Sequence, residues 1–194
     1  QRQMCIRDRF RPHSAWSEQW KHGNDVADSI VQQYLQDDRN ELSIVNAVME
    51  GVDDEARVML SNSMIIRDAE LAFTQNVPHR TLCNRGANGI DGIISTSLGA
   101  SFGSKEKVIC LVGDVATTHD FGGILASIRM EAEMTIVILD NGGGGIFSFL
   151  PISDAISEEQ FDKYFLTSPM LPFADVLKSL RADVSTPQTI KELK

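Results

Sequence analysis

Residues 107–114, KVICLVGD, and residues 134–145, MTIVILDNGGGG, follow the same pattern. Each begins as a short, almost continuously apolar run and ends in glycine and a polar side chain. Apolar runs of this length indicate strands buried on both faces, which are typical of a parallel sheet covered by helices. The residues between the two runs suffice for one helix, so the segment predicts a strand–helix–strand unit.

The same alternation of strands and helices extends through most of the chain. The expected strands are 57–60, 81–83, 107–112 and 134–139. The expected helices are 15–36, 41–52, 64–73, 91–102, 120–132 and the tail from residue 158. This order predicts an α/β fold in which a mostly parallel sheet carries helices on both faces.

The composition excludes several classes of protein. The net charge of −9 argues against a nucleic-acid partner, because phosphate backbones attract clustered Lys and Arg. The longest apolar runs are far shorter than the roughly 18 residues needed to cross a bilayer, so no membrane span is expected. The three cysteines are far apart and form no metal-binding pair, which favours a reducing cytoplasm.

Polar or glycine-rich sequence follows every expected strand, where open parallel sheets bind their ligands. Asp114 follows one strand and Asn141 follows the next, so both should return to the same edge of the sheet. Carboxylate and amide oxygens suit Mg²⁺, and the glycines at 142–145 would allow the backbone to approach a diphosphate. The alternative is an ordinary strand-to-helix turn and a flexible loop. The spacing and the polar neighbouring loops favour the metal site.

Four segments of the chain carry a family resemblance. They are SNSMIIRD at 61–68, CNRGANGIDGIISTSLGA at 83–100, VGDVATTHD at 112–120 and GGGGIFSFLP at 142–151. The Gly-Asp segment followed by Asn a helix and a strand later is similar to the metal motif of thiamine-diphosphate enzymes. Together, the four segments resemble one group of these enzymes, the 2-succinyl-5-enolpyruvyl-6-hydroxy-3-cyclohexene-1-carboxylate synthases of menaquinone biosynthesis. The close resemblance covers about half of the chain.

The resemblance implies a role for each matching position, and with it the thiamine-diphosphate-binding domain fold. The implied metal ligands are Asp114, Asn141 and the carbonyl of Gly143. The implied diphosphate cradle consists of Gly113, Asp114, Val115, Ala116, Gly143 and Gly144. Ile90 corresponds to the residue that holds the cofactor bent, and Ile146 and Phe147 to residues at its reactive end. The residues implied to hold substrate carboxylates are Ser63, Arg67 and Arg85.

Each of these roles has a simpler alternative. Ile90, Ile146 and Phe147 are also compatible with ordinary core packing. A single arginine is usually a solvated surface residue, although two at one sheet edge suit bidentate recognition of carboxylates. His119 and Asp120 are not expected to form a catalytic pair, because adjacent side chains rarely point together. A capping or surface role is expected for His119.

The implied activity is that of a transferase that decarboxylates 2-oxoglutarate and adds a succinyl group to isochorismate. The cofactors would be thiamine diphosphate and Mg²⁺, with Mn²⁺ as a substitute, and the protein would be a cytoplasmic homodimer or homotetramer. In this family the glutamate that activates the cofactor lies in an amino-terminal domain. No catalytic residue is therefore expected in this chain, and the chain alone is expected to be inactive.

The expected organisation has two parts. Residues 1–40 would hold amino-terminal residues of doubtful origin, of which 1–9 are not expected to be native, and the end of a middle domain or linker helix. Residues 41–194 would form the thiamine-diphosphate domain, truncated at its carboxyl end. This division follows from the resemblance and from the lack of any periodic pattern in the first nine residues.

The sequence departs from the family pattern around the metal motif. Asp140 and Gly142 stand where the family usually has Asn, and Asn or Asp. Ala116 replaces a common Ser, and Thr117 and Thr118 replace larger residues. Asn141 itself is retained, so metal binding is still expected. The other changes affect how strongly the metal is expected to bind.

Two other functions remain open at the level of sequence. One is a different thiamine-diphosphate enzyme, such as a 2-oxo acid decarboxylase or an acetolactate-synthase-like enzyme. The segments SNSMIIRD and NRGANGIDG weigh against it. The other is a non-catalytic module that binds Mg²⁺ or a nucleotide.

Overall fold

The computed structural model of the protein describes residues 14–37, 40–53, 55–72, 80–87, 89–104 and 106–193. The amino-terminal residues 1–9, which we expected not to be native, lie outside the described residues. The strands are β1 (Arg57–Leu60), β2 (Arg80–Leu82), β3 (Val108–Gly113) and β4 (Met134–Leu139). The helices before β4 are α1 (Ala15–Tyr34), α2 (Glu41–Gly51), α3 (Met64–Ala72), α4 (Ile93–Ser104), α5 (Asp114–His119) and α6 (Phe121–Arg129). After β4 come a 3₁₀ turn (Gly145–Phe149), α7 (Ile152–Ala155), α8 (Glu158–Phe161), a π-helical turn (Asp162–Leu166), α9 (Phe173–Ser179) and α10 (Ile190–Leu193).

The four strands form one parallel sheet in the order β2-β1-β3-β4. Leu60 of β1 lies opposite Leu111 of β3, and Gly113 of β3 lies opposite Leu139 of β4. In this order β2 lies on one side of β1, and β3 lies on the other side of β1. The strand order therefore reverses between β1 and β3, and the crevice beyond their carboxyl ends is the expected ligand position.

Helices cover both faces of the sheet, as the sequence predicted. On one face, Val58 and Leu111 pack with α2 and α3 residues such as Val45 and Ile65. On the other face, Met59 and its neighbours pack with α4 and α6; the buried residues there include Met59, Cys110, Val112, Ile93, Ile94 and Ile124. Successive strand side chains point to opposite faces, so a strand must be apolar throughout when both faces are covered. The predicted α/β fold with a parallel sheet is confirmed.

The prediction for the region after β3 was wrong in one respect. We expected a single helix at 120–132, whereas the chain enters α5 directly at Asp114 and a second helix, α6, at Phe121. Extended Gly113 precedes α5 and the backbone bends at Asp120, whose φ is −118° and ψ 34°. The carboxylate of Asp120 accepts hydrogen bonds from the backbone and hydroxyl of Ser95, which holds the bend against α4.

The tail is less helical than its sequence pattern predicted. A left-handed backbone at Thr167 (φ 44°) ends the π-helical turn, and a second one occurs at Met170 (φ 49°). Pro169 and Pro172 cannot donate backbone hydrogen bonds, so a continuous helix cannot form between them. The result is a series of short helical turns in place of one long helix.

Helix α1 stands apart from the sheet core. None of its residues is buried, and the side chains of Trp16 and Trp20 are 68% and 66% exposed. Among the described residues, no helix combines the length and the apolar character needed to cross a membrane. The division of the chain at residue 40 stays a prediction.

Candidate functional site

A cleft lies at the carboxyl ends of β1, β3 and β4, beside the point where the strand order reverses. Its lining comes from the loop after β1, the β3–α5 junction and the glycine-rich loop after β4. The predicted site residues in the lining are Ser63, Ile90, Gly113, Asp114, Val115, Ala116, Asn141, Gly143, Gly144, Ile146 and Phe147. The fold thus brings together most of the residues that the sequence singled out.

Asp114 is the buried carboxylate of this cleft, with 2% of its surface exposed. Its Oδ1 atom accepts a hydrogen bond from the backbone of Val115 at 2.7 Å, while Oδ2 is buried and has no partner among the described residues. Burial raises the pKa of the Asp114 carboxyl, and the nearby Asp140 carboxylate raises it further. A buried anionic oxygen without a partner is costly in a protein interior. A cation bound there would satisfy it, so the carboxylate fits the role of metal ligand.

Asn141 lies across the cleft, at the end of β4. Its side-chain amide donates a hydrogen bond from Nδ2 to Oε1 of Glu41, over a distance of 2.7 Å. Glu41 is the first residue of α2 and also lines the cleft. The amide nitrogen of Asn141 is therefore directed to Glu41, which leaves its oxygen on the other side.

The loop after Asn141 needs glycine for two reasons, a positive φ angle and close packing. Gly142 and Gly143 have φ values of 83° and 132°. A Cβ atom on Gly143 would lie 2.3 Å from the carbonyl oxygen of Leu166, and one on Gly144 would lie 2.7 Å from that of Phe165. The backbone of Gly144 also donates a hydrogen bond to Leu166 at 2.6 Å. Gly143 and Gly144 are thus packed against the π-helical turn, and this packing admits no side chain at either position.

We expect Gly143→Ala to destabilise the protein more than Gly142→Ala. Both residues have positive φ, so each variant should carry strain of about 1–3 kcal/mol. Only the methyl group at Gly143 would also meet a backbone oxygen; at Gly142 no described atom lies within 4 Å of the added carbon. Thermal unfolding of the two variants measures the difference. Equal midpoints would contradict the packing of this loop against the Leu166 carbonyl.

The apolar predicted residues form part of the cleft wall. Ile90 packs against the core on the α4 and α6 side of the sheet while also lining the cleft. Phe147 remains 37% exposed and meets Phe165 edge-on, with 5.7 Å between the ring centres. Ile146 lines the cleft beside it. These side chains both pack against the protein and line the cleft. The two alternatives that the sequence offered, core packing and contact with a cofactor, are therefore compatible.

The predicted substrate-binding residues are placed differently from one another. Ser63 lines the cleft and has a left-handed backbone with φ 74°. Arg67, one helical turn later, donates a hydrogen bond from its guanidinium to the Ser63 carbonyl, which ties this exposed arginine to a residue of the lining. Arg85 is exposed in the segment after β2, and neither arginine is among the described residues of the lining. The structure therefore joins Arg67 to the cleft more closely than Arg85.

His119 and Asp120 contact different partners. Nδ1 of His119 lies 3.3 Å from a carboxylate oxygen of Asp91, and both side chains are largely exposed. Asp120 points inward to Ser95 at the start of α4. The expectation that these neighbours form no catalytic pair agrees with this geometry.

Sequence reasoning missed four polar residues of the described lining: Glu41, Ser61, Asn62 and Thr167. The buried Asn62 donates hydrogen bonds to the carbonyls of Asn84 and Gly89, and so ties the loop after β1 to the segment that carries Ile90. Its position directly after an expected strand was a usable signal. Glu41 had no such signal, because it lies 100 residues from its partner Asn141.

Comparison with known proteins agrees with this fold and cleft. Residues 67–194 match the family model described as thiamine pyrophosphate enzyme, C-terminal TPP binding domain, and the chain belongs to this family. The chain is 39% identical, over 93% of its length, to the 2-succinyl-5-enolpyruvyl-6-hydroxy-3-cyclohexene-1-carboxylate synthase of Geobacillus thermodenitrificans (strain NG80-2). It is 36% identical, over 94% of its length, to the synthase of the same name from Bacillus pumilus (strain SAFR-032). The resemblance drawn from the four sequence segments is thereby confirmed.

The chain spans 31% of the length of each of these two relatives. Among solved structures, it superimposes on benzoylformate decarboxylase from Polynucleobacter necessarius with a TM-score of 0.66, covering 79% of this chain and 29% of the other. The sequence identity of that pair is 18%, so the likeness supports the fold alone.

Proposed function

We propose that the chain is the cofactor-binding part of a 2-succinyl-5-enolpyruvyl-6-hydroxy-3-cyclohexene-1-carboxylate synthase. Such an enzyme decarboxylates 2-oxoglutarate and transfers the succinyl unit to isochorismate. The observation that carries the proposal is the unpartnered, buried oxygen of Asp114 in a cleft that the glycine-rich loop also lines, in a chain whose relatives bear this name. Residues 41–194 would form the thiamine-diphosphate domain, and 1–40 would precede it.

The proposed cofactors are thiamine diphosphate and Mg²⁺, for which Mn²⁺ would substitute. Asp114, Asn141 and the Gly143 carbonyl would bind the metal, since hard cations prefer oxygen ligands. The diphosphate would lie against the backbone of Gly113, Val115, Ala116 and Gly144. When bound, thiamine diphosphate supplies the chemistry that removes carbon dioxide from a 2-oxo acid.

The side chains of this chain would bind, orient and exclude water. Ile90, Ile146 and Phe147 would form an apolar wall around the cofactor rings. Ser63, Arg67 and Arg85 would hold the carboxylates of the two substrates, because a guanidinium matches a carboxylate with two parallel hydrogen bonds. The proposal includes a homodimer or homotetramer in the cytoplasm, with neither nucleic acid nor a membrane as partner.

We expect Arg67→Ala and Arg85→Ala to raise the apparent KM for 2-oxoglutarate, for isochorismate or for both. Each variant loses a charge-assisted hydrogen bond worth roughly 1.5–3 kcal/mol, or about one to two decades in affinity. Arg67 should have the larger effect, since its guanidinium contacts a residue of the cleft. Lys at either position should restore the KM only partly, because an ammonium group cannot form the two parallel hydrogen bonds of a guanidinium.

Steady-state kinetics of the full-length enzyme, with each substrate varied in turn, checks this expectation. Thiamine-diphosphate affinity, measured on the same proteins, serves as the control and should change much less. Variants that lose cofactor affinity while the KM values stay constant would contradict the assignment of the arginines to substrate.

One assay separates the proposed function from the other functions that the sequence left open. Full-length protein should form the succinyl adduct from 2-oxoglutarate and isochorismate, and should not turn over pyruvate alone. Turnover of pyruvate alone would favour an acetolactate-synthase-like enzyme. A non-catalytic nucleotide module would instead bind ATP in preference to thiamine diphosphate when Mg²⁺ is present.

A further inference from the structure

Glu41 and Asn141 form a hydrogen bond between two distant parts of the chain, at the edge of the cleft. Nδ2 of Asn141 donates to Oε1 of Glu41 at 2.7 Å. Both residues line the cleft that holds Asp114. A Cβ atom on Gly145 would lie 3.4 Å from the same Nδ2 atom, so the glycine loop passes close to this amide.

Glu41 is held by a well-anchored helix end. Asn40 caps α2 by accepting a hydrogen bond from the backbone of Ser43 at 2.8 Å, and its amide donates to the Tyr34 carbonyl at 2.8 Å. Farther along α2, Val45 and Met49 are buried against the sheet. An acidic residue in the first turn of a helix is also favoured electrostatically. The carboxylate therefore approaches Asn141 from a fixed element.

The chemistry of the pair determines which way the amide of Asn141 faces. A carboxylate only accepts hydrogen bonds, whereas an amide has one donating and one accepting end. With Glu41 in place, the amide must present its nitrogen to the carboxylate and its oxygen to the opposite side. Without Glu41, the amide can rotate, and a nitrogen directed at a cation cannot bind it.

We infer that Glu41 is a positioning residue for the metal site, which sets the amide of Asn141 so that its oxygen faces the cation beside Asp114. The inference rests on the proposed function, because it assumes that Asn141 binds the metal. Groups that orient metal ligands in this way typically change metal affinity by about 10–100-fold when they are removed. Glu41 would contribute through Asn141 and would not itself touch the cofactor.

The experiment exchanges the two functional groups. Asn141→Asp leaves two carboxylates facing each other, whereas the double variant Glu41→Gln/Asn141→Asp restores one hydrogen bond with its direction reversed. The matched control, Glu41→Ala/Asn141→Asp, relieves the repulsion without supplying a donor. Single variants Glu41→Ala and Glu41→Gln complete the set. The readouts are Mg²⁺ affinity at saturating thiamine diphosphate, cofactor affinity at saturating Mg²⁺ and the unfolding midpoint of the ligand-free full-length protein.

We expect Glu41→Ala to weaken Mg²⁺ binding about tenfold or more, with the unfolding midpoint of the ligand-free protein little changed. Glu41→Gln should weaken it less, since its amide oxygen can still accept from Asn141. The exchanged pair Glu41→Gln/Asn141→Asp should bind Mg²⁺ at least about fivefold more tightly than Asn141→Asp alone, and more tightly than the Ala control.

Four results would overturn the inference. Mg²⁺ affinity that is unchanged in Glu41→Ala would show that the amide needs no partner. If the exchanged pair binds Mg²⁺ no more tightly than the Ala control, relief of charge repulsion alone would explain the gain over Asn141→Asp. If Glu41→Ala and Glu41→Gln lose the same Mg²⁺ affinity, Glu41 would be a direct metal ligand. Absence of Mg²⁺-dependent cofactor binding in the unmodified protein would overturn the proposed function as well, which distinguishes that failure from the others.

Discussion

Asp114→Asn in the full-length enzyme should weaken Mg²⁺-dependent binding of thiamine diphosphate by more than about tenfold. The substitution keeps the shape of the side chain and removes a negative charge that is buried in the cleft. Its Oδ2 atom has no hydrogen-bond partner among the described residues, so this oxygen is available to bind a cation. Titration of thiamine diphosphate at fixed Mg²⁺, and of Mg²⁺ at fixed cofactor, measures the loss.

The same variant should gain stability in the absence of ligands. An ionised carboxylate that is buried with one oxygen unpartnered costs more than a neutral amide of the same size. Asn at this position can still accept the hydrogen bond from Val115, which preserves the start of α5. A higher unfolding midpoint without ligand, together with weaker cofactor binding, separates a ligand role from a structural one. Unchanged cofactor affinity would remove Asp114 from the metal site.

We expect Asp140 to determine how much Mg²⁺-dependent cofactor binding the Asp114→Asn variant retains. Its carboxylate lies close enough to raise the pKa of Asp114. A neighbouring acid can take over part of the role of the missing ligand, so residual binding in Asp114→Asn should fall further when Asp140→Asn is added. The single variant Asp140→Asn is the control and should retain most of the affinity.

The sheet could be predicted from sequence because its signal is local. Strands β1 and β4 were predicted at their observed bounds, since each is a short apolar run between polar residues. Parallel strands buried on both faces need such runs, and few other structures produce them. The convergence of Asp114 and Asn141 followed from the same argument, because one helix and one strand return the chain to the same edge.

Helix α5 could not be predicted in this way. Residues 114–119, DVATTH, lack apolar periodicity and contain two β-branched threonines, which favour helices weakly. Burial stabilises it instead, because Ala116 packs in the core beside the sheet and Thr117 is fully buried. The hydroxyls of Thr117 and Thr118 donate locally, to the carbonyls of Gly113 and Asp114. The strand–helix junction that results places Asp114 at the cleft.

The supporting contacts of the site were also invisible in the sequence. The glycines after Asn141 were expected to admit a diphosphate, but the backbone that presses against them belongs to residues 162–166. Nothing in the spacing marks that segment as a neighbour. The bond between Glu41 and Asn141 is of the same kind, because a contact across 100 residues leaves no periodic trace.

The 194-residue chain by itself should give no detectable succinyl transfer, even with saturating thiamine diphosphate and Mg²⁺. Among the described residues that line the cleft, the acidic ones are Glu41 and Asp114. Glu41 is engaged by Asn141 and Asp114 is assigned to the metal, so neither is available to activate the cofactor. The resemblance implies that the activating glutamate lies in an amino-terminal domain, and the chain spans 31% of the length of its relatives.

The expected deficit is large because two losses combine. A positioned acid or base typically contributes about 10²–10⁴-fold to the rate, and the cofactor would also lack the half of its pocket that the amino-terminal domain supplies. The assay compares the purified chain with a no-protein control, after circular dichroism has shown that the chain is folded. A separately expressed amino-terminal region should restore activity when it is added, since the resemblance implies that it carries the activating glutamate. Product formed by the chain alone, above the control, would show that an acid in this cleft activates the cofactor, and Glu41 would then be the residue to replace first.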